Sequence, residues 1–215
     1  MSTEDWYRRS EWTPEASAEF EARLSRSRRQ RSEYLRIQAL TLSESTQKNS
    51  AKAAIELAMR FLALKKAGLG VAQMHASIAK ALTTLGDPVG AIDAYVAATD
   101  AEYSQPNVRG YHYIDFAWFA ATHSRTEVFE KVLSIVERNR KDQDLAFPAI
   151  RYRFFGAMAL ISSALGDRQS AKRMAQNALE ASDQGYGPLK SHPSLGTVES
   201  IDHDIHVQLQ QLSVA

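Results

Sequence analysis

His203 and His206 stand beside Asp202 and Asp204, and residues three or four apart share a helix face, so this spacing could hold a divalent metal. The pattern supplies no further ligand, and no metal site is expected. No acid–base chemistry is assigned to His75, His112, His123 or His192. Cysteine is absent, which removes thiolate nucleophiles, disulfides and Cys-ligated zinc together. The sequence holds no phosphate loop, dinucleotide fingerprint, zinc-protease helix or nucleophile elbow. The expected protein is therefore not an enzyme and carries no cofactor.

Two other groups of residues could bind rather than react. Arg23, Arg26, Arg28, Arg29, Arg31 and Arg36 form a local basic cluster, with Trp12, Phe20 and Tyr34 near enough in sequence to stack on bases. Glu15, Glu19, Glu21 and Glu33 are interleaved at helical ion-pair spacing, so a solvated, salt-bridged face is the plainer reading. A nucleic-acid-associated regulator using this cluster is the alternative function. Residues 111–119 are apolar nearly all round a helix and must be covered on more than one face. Most are expected in the core, while an open Trp or Tyr there would anchor an interface. Asp115 in that setting needs a partner, which Arg151 or Arg153 could supply.

The elements that carry these residues are helical. The 215 residues suit one or two domains, or four to five stacked helix pairs. Lys and Arg number 26 against 25 Asp and Glu, which argues against a dedicated polyanion binder. No window approaches the ~18 apolar residues of a membrane span. The opening Met1-Ser2-Thr3-Glu4-Asp5-Trp6 is acidic and polar, unlike an export signal, so a cytoplasmic protein is expected.

Strand signals are poor, and cap and stop signals are dense. They predict helices over about 14–27, 31–43, 50–67, 71–85, 88–103, 110–122, 126–138, 148–165, 168–183 and 198–213. Asn49 and Ser50 are read as the third helix's cap, Gly68 and Gly70 as its end, and Pro106 as the stop after the fifth. Residues 138–144 read as a long polar turn, and 185–196 as an extended Gly/Pro/Ser loop.

Residues 79–101 reappear as residues 159–181. Identities fall at Ala79/Ala159, Leu85/Leu165, Gly86/Gly166, Asp87/Asp167, Ala91/Ala171, Ala98/Ala178 and Ala101/Ala181. These are small residues where helices cross, a turn glycine and a helix cap, the pattern of a stacked helical array. With Tyr95 at the aromatic position, these segments resemble the tetratricopeptide repeat family. The resemblance covers about residues 30–183 and departs at Ala175, where Tyr95 has its counterpart, and at Ser124, which replaces the turn glycine of a middle unit.

The resemblance implies an all-α, right-handed superhelix of stacked antiparallel helix pairs, about ten helices in all. Residues 1–29 are an N-terminal segment and first helix, residues 30–183 the array, and residues 184–215 a Gly/Pro loop and capping helix. It also implies a concave groove lined by the first helix of each pair. Carrying over the groove positions selects Arg36, Gln73, Lys80, Tyr111, Trp118 and Arg153, with Thr83, Thr84, Ile114 and Ser163 beside them. Such a groove suits a protein or peptide partner with acidic groups. The expected function is a non-catalytic binding module: an adaptor, regulator or neutralising partner. Self-association would use whichever apolar face the array leaves uncapped. The last helix either caps the array or, freed by its loop, plugs the groove.

Overall fold

A computed structural model describes residues 6–65, 68, 70–105, 110–140, 145–199 and 201–215. The acidic opening at residues 1–5, Pro106, and residues 141–144 of the polar turn lie outside the described residues. Those described are all-helical. The helices in chain order are α1 (Pro14–Arg26), α2 (Arg31–Ser43), α3 (Lys48–Leu64), α4 (Val71–Leu85), α5 (Pro88–Tyr103), α6 (His112–Thr122), α7 (Phe129–Asn139), α8 (Pro148–Ala164), α9 (Arg168–Asp183) and α10 (His203–Val214). Consecutive helices pair as hairpins, α2 with α3, α4 with α5 and α8 with α9. None is long and apolar enough to cross a membrane.

The packing divides into two compact units, Met1–His112 and Tyr113–Ala215. In the first, α4 stacks on both α3 and α2. Its core is built from Phe20, Leu24, Leu35, Leu42, Leu57, Phe61 and Met74. In the second, α10 packs on α9 and α8, closing a core that includes Tyr152, Ala159, Ala175, Ala178, Ile205 and Leu209. The repeated alanines lie where helices approach closely: Ala79, Ala91, Ala98, Ala159, Ala171 and Ala178 are at most 2 % exposed. A larger side chain at any of them would overpack a helix crossing, at roughly 1–3 kcal/mol.

Hairpin corners follow one backbone pattern. Gly86 and Gly166 both sit at φ 82, in the left-handed region. The Gly86 amide donates to Thr83 O at 3.0 Å and the Asp87 amide to Leu82 O at 3.0 Å; at the second corner Gly166 donates to Ser163 O at 3.1 Å and Asp167 to Ser162 O at 2.9 Å. These paired bonds satisfy carbonyls that a helix end leaves open. Asp87 and Asp167 then cap the next helix, accepting from the Gly90 and Ser170 amides at 2.9 and 3.0 Å. Ser124 makes the same corner between α6 and α7 at φ 51, its amide on Ala121 O at 3.2 Å and that of Arg125 on Ala120 O at 2.9 Å.

Some boundaries differ from the expected ones. α3 starts at Lys48 and stops at Leu64, so Asn49 and Ser50 lie within it rather than capping it. Gly70 is the residue before α4, at φ 95, and does not end α3. A Cβ there would lie 2.7 Å from Arg36 Cδ and 3.0 Å from Phe61 Cζ, so close approach as well as backbone angle requires glycine. A single 3-10 turn, Thr126–Val128, precedes α7. α10 begins at His203 because the Asp202 carboxylate captures the Asp204 and Ile205 amides at 3.0 and 3.2 Å.

α6 begins at His112, not Gly110. The chain enters it through Tyr111 at φ 58. There the Gly110 and Tyr111 amides donate to Glu102 Oε1 at 2.6 and 2.9 Å, and the His112 amide to Oε2 at 2.9 Å. Glu102 is 9 % exposed, a buried carboxylate matched to a row of backbone donors.

Candidate functional site

In the first unit, α2 and α4 lie side by side and present a polar ladder. Arg36 Nη1 donates to Gln73 Oε1 at 2.6 Å, and its Nη2 to Glu33 Oε2 at 2.8 Å. Lys80 Nζ meets Glu44 Oε1 at 2.6 Å. Residues 36 and 44 thus match residues 73 and 80 in the same order, which makes α2 and α4 parallel, as first helices of successive hairpins must be. The ladder unites three of the expected groove residues, Arg36, Gln73 and Lys80. Their anionic partners are exposed: the Glu33 side chain is 48 % accessible and that of Glu44 64 %. Exposed pairs of this kind contribute about 0–1 kcal/mol. Thr83 and Thr84 return their hydroxyls to Ala79 O and Lys80 O, spending those donors inside α4.

The second unit brings together Trp118, Arg153 and Asp115 on α6 and α8. Arg153 Nη1 pairs with Asp115 Oδ1 at 2.7 Å, so the partner expected for Asp115 is Arg153. Its guanidinium lies 5.9 Å from the Trp118 ring centre, in cation–π geometry. Trp118 also packs on Tyr152, 5.8 Å between ring centres. Its Cζ3 comes within 3.0 Å of where a Gly156 Cβ would stand, and Leu209 Cδ1 of α10 within 3.4 Å. The absence of a side chain at Gly156 is what lets an indole from α6 and a leucine from α10 share one spot on α8. The rest of the 111–119 stretch is core, with His112, Tyr113, Ile114, Phe116, Ala117 and Phe119 buried.

α10 covers this face through Ile205 and Leu209, the two buried residues of that helix. Its far end is tied by Gln176 to Ser213 O at 3.1 Å and by Lys172 to the carbonyls of Val214 and Ala215 at 3.4 and 3.3 Å. Beneath it the His206 and Tyr152 rings lie 6.3 Å apart. Tyr152 Oη and His206 Nδ1 are buried and find no hydrogen-bond partner among the described residues. Burial, and then the negative charge of Asp202, push the Tyr152 hydroxyl pKa up from its ordinary value. Beside α10 a cleft of about 310 Å³ opens between Ala121, Ser124, Phe129, Leu160, Gln208 and Gln211. The preceding loop is pinned at Gly196, whose carbonyl accepts from the Ala149 amide at 2.9 Å.

Tyr111, the remaining groove residue, is half-buried, and the structure gives it a backbone role in the Glu102 clamp. The aromatic residues near the arginine cluster are stacked on one another. Phe20 is fully buried, with Trp6 and Trp12 at 5.4 and 5.5 Å, and Tyr34 meets Trp6 at 4.7 Å and Tyr7 at 4.8 Å. Arg23 pairs with Glu19 at 2.8 Å and lies over Trp6, while Arg26, Arg28, Arg29 and Arg31 are exposed. His203 is exposed and His206 half-buried against Tyr152.

Sequence reasoning missed Glu102, Gly156, Tyr152 and Gln38. The fully buried Gln38 amide accepts from the Arg9 N–H at 3.0 Å and donates to Arg9 O at 2.7 Å, docking the N-terminal segment. A glycine in the middle of an apolar helical run was the available signal for Gly156, because it marks close approach. No protein-family model matches the chain, and neither a curated protein nor a solved structure matches it.

Proposed function

We propose that this chain is a non-catalytic protein- or peptide-binding module of the tetratricopeptide-like kind, acting in the cytoplasm as an adaptor, regulator or neutralising partner. The observation that carries the reading is the ladder of Arg36, Gln73 and Lys80 along two parallel first helices, in which the carboxylates paired with its cations, Glu33 and Glu44, are exposed. A partner's acidic side chains, or a chain-terminal carboxylate, would replace Glu33 and Glu44 and take over their charge-assisted hydrogen bonds. In the second unit, Arg153 over Trp118 supports the same preference for an anionic group next to an apolar one.

The test is capture of the partner from the source cell, identification by mass spectrometry, and titration of it against variants. An Arg36→Glu, Lys80→Glu double variant should bind at least about tenfold more weakly, a loss of about 1.4 kcal/mol, with its melting temperature unchanged. Arg153→Glu should weaken binding in the same direction. Unchanged affinity in both variants would remove the proposal.

A further inference from the structure

We infer that α10 is a resident stand-in on a helix-binding seat, and that the ligand of the second unit is a partner's amphipathic helix that takes α10's place. This rests on the reading of the chain as a binding module, and it names what binds and what must first move. The seat is a formed surface: Gly156 leaves room for Trp118 and Leu209 to meet over α8, and Tyr152 lines the floor beside them.

The occupant fits that seat incompletely in two independent ways. Tyr152 Oη, and His206 Nδ1 on α10 itself, are buried without hydrogen-bond partners among the described residues, which penalises the docked state. The cleft of about 310 Å³ beside α10 is left open, lined from that helix by Gln208, Gln211 and Leu212. Only Ile205 and Leu209 of α10 are buried, whereas α9 is sealed to α8 through Ala171, Ala175, Ala178 and Ala181.

The chemistry of the ligand follows from these misfits. It is a helix with aliphatic residues spaced like Ile205, Leu209 and Leu212, which recur at i, i+4 and i+7 on one face. Where α10 carries Gln208 and Gln211 it has apolar side chains that enter the cleft. At the His206 position it carries an acceptor for the Tyr152 hydroxyl, such as glutamine.

The probe is a labelled synthetic peptide of residues 198–215 carrying Gln208→Leu, Gln211→Leu and His206→Gln, titrated into the full-length protein. It should bind a Leu209→Ala chain at least about tenfold more tightly than the unaltered chain, since the resident competes less. The same peptide with an added Leu209→Asp change should not bind either chain. Hydrogen exchange on the unaltered protein removes dependence on that variant's folding. The α10 amides should exchange at least about a hundredfold faster than those of α9, through local opening, and faster still with saturating peptide.

Protection of α10 equal to that of α9, or peptide binding indifferent to the Leu209→Asp change, would overturn the inference. That failure is separable from failure of the module reading. An acidic partner still lost on Arg36→Glu, Lys80→Glu would leave the module standing with α10 as a permanent cap. Peptide exchange with no effect of those charge reversals would leave the seat and remove the acidic groove.

Discussion

Ser124 occupies a corner whose backbone bonds are those of Gly86 and Gly166, yet its side chain must tolerate φ 51. A left-handed L-residue costs about 1–2 kcal/mol, and glycine returns part of that through greater freedom in the unfolded chain. Ser124→Gly should therefore raise stability by about 0.5–1 kcal/mol, read as a higher urea midpoint with unchanged slope. Gly86→Ala tests the converse. A Cβ at Gly86 meets nothing within 4 Å, so its expected loss of about 1 kcal/mol is backbone strain alone. Glu102→Ala strips a buried acceptor from three amides and should lower stability by about 2–4 kcal/mol in the same assay. The two glycine corners were legible in the sequence, because a Gly–Asp step is a local signal. Glu102 was not, because its partners lie eight to ten residues further along the chain, beyond the reach of a local signal.

Helices whose ends are set by their own neighbours were readable to the residue. α4 begins and stops at its glycines and α5 and α9 begin at their Asp caps, as the local signals predict, while α2 matches its expected span without a cap or glycine signal. α3 stops at Leu64, before the glycines read as its end, and α6 begins at His112, where Glu102 holds the entry. α10 is different again, since the Asp202 cap was present in the sequence and was outweighed by Ile201 on the apolar stripe. Of the candidate site, pairing of Asp115 with an arginine of the next hairpin was foreseeable from charge in an apolar helix; Gly156 signalled a close approach, but not which residues of other helices make it. Gly156→Leu should push Trp118 and Leu209 apart, with a loss of about 1–3 kcal/mol. The sign that locates it is a change in Trp118 fluorescence together with faster exchange in α10. Unchanged α10 protection would mean that the indole and α10 do not share this spot.

Stability against pH is a property of the whole chain, and two windows are expected. Burial pushes the His75 pKa below its ordinary value of 6.5, because the charged ring is penalised inside the fold. The unfolded chain then binds a proton that the folded chain refuses, so the contribution is complete above about pH 6.5 and is lost as the pH falls below it. Urea titrations at pH 7.5, 6.5 and 5.5 should show the decline, and His75→Gln should flatten it. Glu15 and Asp167 are lowered by hydrogen bonds at helix starts, so their contribution persists to more acidic conditions and is lost below the ordinary carboxyl range. The corners at residues 86, 124 and 166 have a further consequence. Because the preceding helix ends there in paired main-chain bonds, and Asp87 and Asp167 cap the helices that follow, a junction placed there would leave both helix ends sealed. Chimeras that exchange helices at these corners should therefore keep their helical content, which circular dichroism would read.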